Sequence, residues 1–154
     1  ANRLVTIALE SGYSSDEDVA DFIYSFVGSI QYQFDEVSSG EEEYPKYPIE
    51  MLWEQNGDCE DAALLFISLT ESIGLDSILL LGEVKQDEND EDWGGHAWAA
   101  INLEFGSGTY YWGPGDKNSQ KFWFVETTDY TDGISKPGDN PWYDNRNTYM
   151  FDVE

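Results

Sequence analysis

The segment Gly57-Asp58-Cys59-Glu60-Asp61-Ala62 holds the only cysteine of the chain, and the only histidine, His96, lies downstream of it. Asp58 is a favourable helix N-cap, and beyond it Ala62, Leu65, Phe66, Leu69 and Ile73 recur on one helical face until Gly74 supplies a stop. The pattern predicts a helix from Asp58 to Gly74 with Cys59 at its N-terminal end. Backbone N–H groups and the helix dipole favour negative charge there, so the position suits a nucleophilic thiolate. A cysteine nucleophile needs a base, and His96 is the one imidazole available.

Working outward, Ser14-Ser15-Asp16-Glu17-Asp18 reads as an N-cap with acids in the first turn, followed by Val19, Phe22, Ile23, Phe26 and Val27 at helical spacing. This predicts a helix from about Asp16 to Ile30, and a polar, acidic surface loop from Asp35 through Pro48. Ser77–Val84 reads as a buried strand, Asp87–Asp92 as an acidic loop, and His96–Leu103 as the next strand, entered through Gly94-Gly95. Tyr110–Trp112 and Lys121–Thr128 are strands rich in aromatic and β-branched residues, with Gly113-Pro114-Gly115-Asp116 turning between them. Helices first and an antiparallel sheet after them make an α+β fold without internal repeats. Strand alternation puts Phe122, Phe124, Glu126 and Thr128 on one face, so Glu126 is favoured as the acid that orients His96, with Asp129 the alternative.

The chain has 154 residues, 40% hydrophobic and 16% aromatic, enough to bury a core, and is expected to be one domain over 1–154, whether or not it was cut from a longer protein. A single cysteine excludes an internal disulfide, and no apolar run approaches the roughly 18 residues of a membrane span. The formal net charge of −25 disfavours nucleic acid and anionic lipid as partners. Acids spread over a folded-domain composition fit adaptation to high salt, an extracellular or cell-surface domain being favoured slightly over the cytoplasm of a salt-adapted cell. Zinc would have to join Cys59 and His96 to carboxylates, which is not a usual structural zinc set, so no metal is expected. Calcium is the alternative cation, because Asp87–Asp92 supplies hard oxygens, although without the spacing of an EF-hand. The large aromatics read mainly as core, while Trp93, beside the histidine motif, is a candidate to line a substrate groove.

Four stretches together, Gly57-Asp58-Cys59-Glu60-Asp61-Ala62, Tyr47-Pro48-Ile49-Glu50-Met51-Leu52, Gly95-His96-Ala97-Trp98 and Val125-Glu126-Thr127-Thr128, resemble the transglutaminase-like superfamily. More narrowly they resemble its prokaryotic cysteine-peptidase-like branch, over roughly Phe26 to Tyr143. The resemblance implies a papain-like core with the nucleophile's helix packed on an antiparallel sheet. It implies Cys59 as nucleophile, His96 as base and Glu126 in the place usually held by Asp. The function implied is thiol-dependent acyl transfer on a protein or peptide amide, as a cysteine peptidase or amidase without a cofactor. Transglutaminase-type cross-linking, and a non-catalytic module binding a peptide or surface polymer, are the alternatives. Two departures stand out. Gly28 occupies a position where relatives often carry Gln, which removes one oxyanion donor and leaves Gln31, Gln33 and Gln55 as substitutes. Asp58, Glu60 and Asp61 flank the thiol and oppose its ionisation.

With the Debye length falling to about 3 Å at 1 M salt, self-repulsion of so acidic a chain is screened only in concentrated salt. The reading therefore expects the near-UV circular dichroism to weaken in dilute buffer without salt or divalent ions; a signal unchanged by dialysis overturns the salt-adaptation reading.

Overall fold

The computed structural model describes residues 1–34, 44–89, 91–128 and 136–153. In chain order these form α1 (Asn2–Glu10), α2 (Asp16–Gly28), β1 (Gln31–Tyr32), α3 (Pro48–Glu54), β2 (Asn56–Gly57), α4 (Cys59–Glu71), β3 (Ser77–Lys85), β4 (Gly94–Ile101), β5 (Tyr110–Trp112), β6 (Lys121–Val125) and β7 (Asp144–Asp152). Helix starts are written in side chains. At α2 the Ser15 hydroxyl accepts from the Asp18 N–H (3.1 Å) while the Asp18 carboxylate accepts from the Ser15 N–H (3.2 Å), a reciprocal capping box. α3 begins with Pro48 in its first turn, where the missing N–H is not needed, and Glu50 accepts from the Tyr47 N–H at 2.8 Å. α4 ends before Gly74, whose φ of +84° is open to glycine without penalty.

The sheet is antiparallel, in the order β5-β6-β4-β3-β7, and a short parallel pair, β1 with β2, stands apart from it. β4 is central: Ala97 faces Leu81 of β3 and Ala99 faces Val125 of β6. One face of the sheet, through Ala99, Ile101 and Val125, joins a core supplied by α2 and α4, with Ile23, Leu65, Phe66 and Ile67 fully buried. The small residues Ala62 and Ala63 on α4 and Ala97 and Ala99 on β4 are all buried, which lets helix and strand approach closely. The other face packs Leu80, Trp98, Phe122 and Phe124 into a second cluster. A Cβ at Gly82 would lie 2.9 Å from the Trp98 ring, so β3 carries glycine where that ring crosses it.

The α+β architecture, with helices on an antiparallel sheet, is as the sequence implies. Boundaries differ. α2 stops at Gly28 rather than Ile30, and β4 runs from Gly94 to Ile101 rather than from His96 to Leu103. β6 ends at Val125, where its pairing with β4 ends, rather than at Thr128. The expected turn after β5 contains a 3₁₀ turn at Gly115–Lys117. α1, α3, the β1–β2 pair and β7 were not foreseen: α1 buries only Ala8, and β7 is an Asn- and Asp-rich edge strand with little alternation to read. Of the expected loop from Asp35 to Pro48, residues 35–43 lie outside those described.

Phe66 is fully buried where α4 meets the sheet. Phe66→Ala should lower the unfolding free energy by about 3–5 kcal/mol, read from the urea midpoint with an unchanged slope.

Candidate active site

The carboxyl group of Glu126 organises the site. It is fully buried just past the end of β6, and each of its oxygens accepts two hydrogen bonds. Oε1 takes the Thr128 N–H (3.0 Å) and hydroxyl (2.7 Å), and Oε2 takes the Trp142 indole N–H (2.8 Å) and His96 Nε2 (2.9 Å). Burial alone would raise its pKa, but the His96 bond and charge and the Thr128 and Trp142 donors hold it below the usual glutamate range. Glu126 is therefore ionised, and His96 Nε2 carries a hydrogen to donate. The imidazole is further fixed between Trp142, edge-on at 4.8 Å, and Trp98, stacked at 5.9 Å.

Cys59 is the first residue of α4 and half-buried. The Ala97 N–H, on the residue after His96, and the carboxylate of Glu126 both act on its thiol, which puts Cys59 in the neighbourhood of the His96–Glu126 pair. Burial, the dominant cause, pushes the thiol up to about 12 against the Ala97 N–H, and the carboxylates of Asp58, Glu60 and Glu126 push the same way. At neutral pH the resting sulfur is a thiol.

The acids beside Cys59 build the helix start. Asp58 Oδ1 accepts from the N–H groups of Glu60 (3.1 Å) and Asp61 (3.3 Å), and Asp61 Oδ2 accepts from the Asp58 N–H (3.3 Å). Asp61 is buried and also accepts from the Lys46 N–H at 2.7 Å; burial nonetheless raises its pKa to about 6. A Cβ at Gly57 would fall 2.8 Å from Asp61 Cβ, which is why glycine precedes this turn. Lys46, 2% exposed, places its ammonium 2.7 Å from Asn56 Oδ1 and 3.3 Å from Glu54, so the buried cation is paired.

Other candidates are placed differently. Gln55 caps its own helix, its Nε2 donating to the Leu52 carbonyl at 2.6 Å, and Gln31 is exposed on β1 opposite Asn56. Gln33 donates its backbone N–H to Gly57 at 2.9 Å. Trp93 is half-buried under the Arg146 guanidinium, 4.1 Å from its ring centre. Asp129, the alternative acid, and Asp90, within the acidic loop, lie outside the described residues. Among the described residues no group of three or more His, Cys, Asp or Glu side chains is set to hold a metal ion. Sequence reasoning placed Trp142 with the core and missed that it bonds Glu126; no local motif marks an indole that crosses from a distant loop.

A thiol with so high a pKa ionises progressively with pH. The alkylation rate by iodoacetamide should climb roughly tenfold per pH unit from 7 to 10 without levelling off. Glu60→Gln removes one of the anions that raise the pKa, and should increase the rate at fixed pH by roughly twofold to fivefold. A plateau at or below neutral pH would contradict this electrostatic picture.

A family model described as the transglutaminase-like superfamily matches residues 5–117, a span that includes Cys59 and His96 and stops before Glu126. No curated protein gives a significant match. Among solved structures the chain is similar to a TGase crystal structure at 17% identity and TM-score 0.52, over 87% of this chain and only 32% of that one. It is also similar to calcium-bound LapG of Legionella pneumophila at 15% identity and TM-score 0.47, over 82% of this chain and 71% of LapG. At this level of identity the TGase likeness speaks to the fold alone. The family match covers most of the chain and spans both the cysteine and the histidine motifs, and the protein belongs to the transglutaminase-like superfamily.

Proposed function

We propose that the chain is a thiol-dependent acyl-transfer enzyme acting on protein or peptide amides, most simply a cysteine peptidase or amidase. The observation that carries this reading is the 2.9 Å bond from His96 Nε2 to a fully buried, fully hydrogen-bonded Glu126, whose charge also acts on the Cys59 thiol. With Nε2 committed to Glu126, Nδ1 is the ring nitrogen left to take the thiol proton.

The sulfur adds to the amide carbonyl as its proton passes to Nδ1, and the carbonyl π pair moves onto oxygen. On collapse the C–N bond breaks, and the imidazolium gives its proton to the departing amine, leaving a thioester. Water then repeats the cycle: its oxygen bonds the acyl carbon, its proton goes to His96, the S–C bond breaks and the sulfur is reprotonated as the acid leaves. The raised thiol pKa makes the first proton transfer part of the attack, rather than a step completed at rest.

Oxyanion stabilisation needs donors despite Gly28. In the first turn of α4 the N–H groups of Glu60 and Asp61 bond Asp58 Oδ1 and that of Ala62 bonds the Asp58 carbonyl. The Cys59 N–H has no partner among the described residues, and it is the backbone donor we assign to the developing oxyanion.

A second reading, a peptide-binding module that keeps the groove without turnover, is favoured by the same elevated thiol pKa. Turnover of a fluorogenic peptide library separates the two. Cys59→Ala should abolish activity, and His96→Ala should lower kcat by about 10²–10⁴-fold. Undiminished turnover in Cys59→Ala would sink the enzyme reading; peptide binding by the wild type with no turnover of any library member would favour the module.

A further inference from the structure

Beside His96 is a cavity of about 270 Å³ lined by residues of β3, β4 and their connection and by Trp142. None of residues 57–61 contributes to it. Its walls are of two kinds. Val84 and the Trp142 ring are apolar, whereas Gln86 and Asp92 present an amide and a carboxylate. At Gly94 and Gly95, which also line it, an added Cβ would meet nothing within 4 Å, so the approach along this strand is open. The volume lies just under the range of about 300–1,000 Å³ for drug-sized ligands, and suits one long side chain.

Resting on the acyl-transfer reading, we propose that this cavity receives a lysine or arginine side chain on the leaving-group side of the scissile amide. Position selects the side of the substrate. His96 protonates the departing nitrogen, so the residue carrying that nitrogen lies next to the imidazole, while the acyl part stays with Cys59. Chemistry selects the residue. A long cationic side chain can lay its methylene stem along Val84 and Trp142 and carry its charged head to Asp92 and Gln86. Among the described residues Asp92 has no hydrogen-bond or ion-pair partner of its own. Two cations on neighbouring strands, Lys85 and Arg146, are engaged elsewhere: both lie over the Trp93 ring, at 5.8 and 4.1 Å, and Arg146 also bonds Glu83. Neither lines the cavity.

The test uses the whole chain with lysinamide and norleucinamide, which differs from it only in lacking the side-chain ammonium, as probes, followed by two-dimensional NMR at about 0.15 M salt, where the Debye length is about 8 Å. Lysinamide should shift the Gly94 and Gly95 amides and the Trp142 indole saturably, and norleucinamide should bind more weakly. Asp92→Asn should weaken lysinamide by about threefold to fivefold, the factor an exposed ion pair supplies. Asp116→Asn, an exposed acid in the 3₁₀ turn, should leave it unchanged. In parallel, peptide amides differing only in the residue after the scissile bond should show kcat/KM higher for lysine than for norleucine, a ratio that falls by the same factor in Asp92→Asn. Equal binding of the two probes, or turnover indifferent to that residue, overturns the subsite while leaving acyl transfer at Cys59 intact. Selective lysinamide shifts in a chain that turns over no amide would retain the cation site and overturn the enzyme reading instead.

Discussion

A carboxylate with no access to water is tolerable only when its lone pairs are filled by donors, and Glu126 is built around that constraint. Each donor it recruits fixes another part of the molecule. Thr128 turns the chain sharply after β6, Trp142 ties the connection before β7 to the end of that strand, and His96 loses its freedom to rotate. The folded-state pKa lies below the ordinary value, so this stabilisation is present above the usual glutamate pKa and is lost as pH falls through the folded one. The same buried charge thus holds the fold at the sheet end and sets which imidazole nitrogen is protonated.

The thiol lives with the opposite arrangement. Asp58 and Asp61 form the reciprocal cap that starts α4, so the carboxylates that place Cys59 at a helix terminus are inseparable from the helix itself. The terminus favours a thiolate, but here burial and the neighbouring charges outweigh it. Helix geometry wins the placement of the sulfur and loses the contest over its ionisation, which leaves the proton for His96 to remove.

Much of this was legible because it is local. The Ser15 and Asp58 caps, the apolar stripe of α4 and the lone Cys59 and His96 each follow from short-range rules, and the structure keeps them. Glu126 was reached by strand parity with Phe122 and Phe124. Those two share a cluster with Trp98, the ring His96 stacks on, although the strand itself ends one residue before Glu126. What could not be read is what arrives from elsewhere in the chain: the Trp142 indole and the paired Lys46 ammonium are fixed by tertiary packing. Lys46 is the sharpest case, since a lysine in an acidic stretch reads as a solvated charge and is instead 2% exposed.

A formal charge of −25 attracts any cationic peptide, and in dilute solution that field would raise association without regard to where on the peptide the charge sits. In concentrated salt the attraction collapses to within about 3 Å, and long-range steering no longer distinguishes one basic peptide from another. Selection then depends on contacts at hydrogen-bond distance. A carboxylate such as Asp92 on the wall of the cavity beside His96 operates at that range, so it would preserve a preference for a positioned cation under the conditions that silence the other acids.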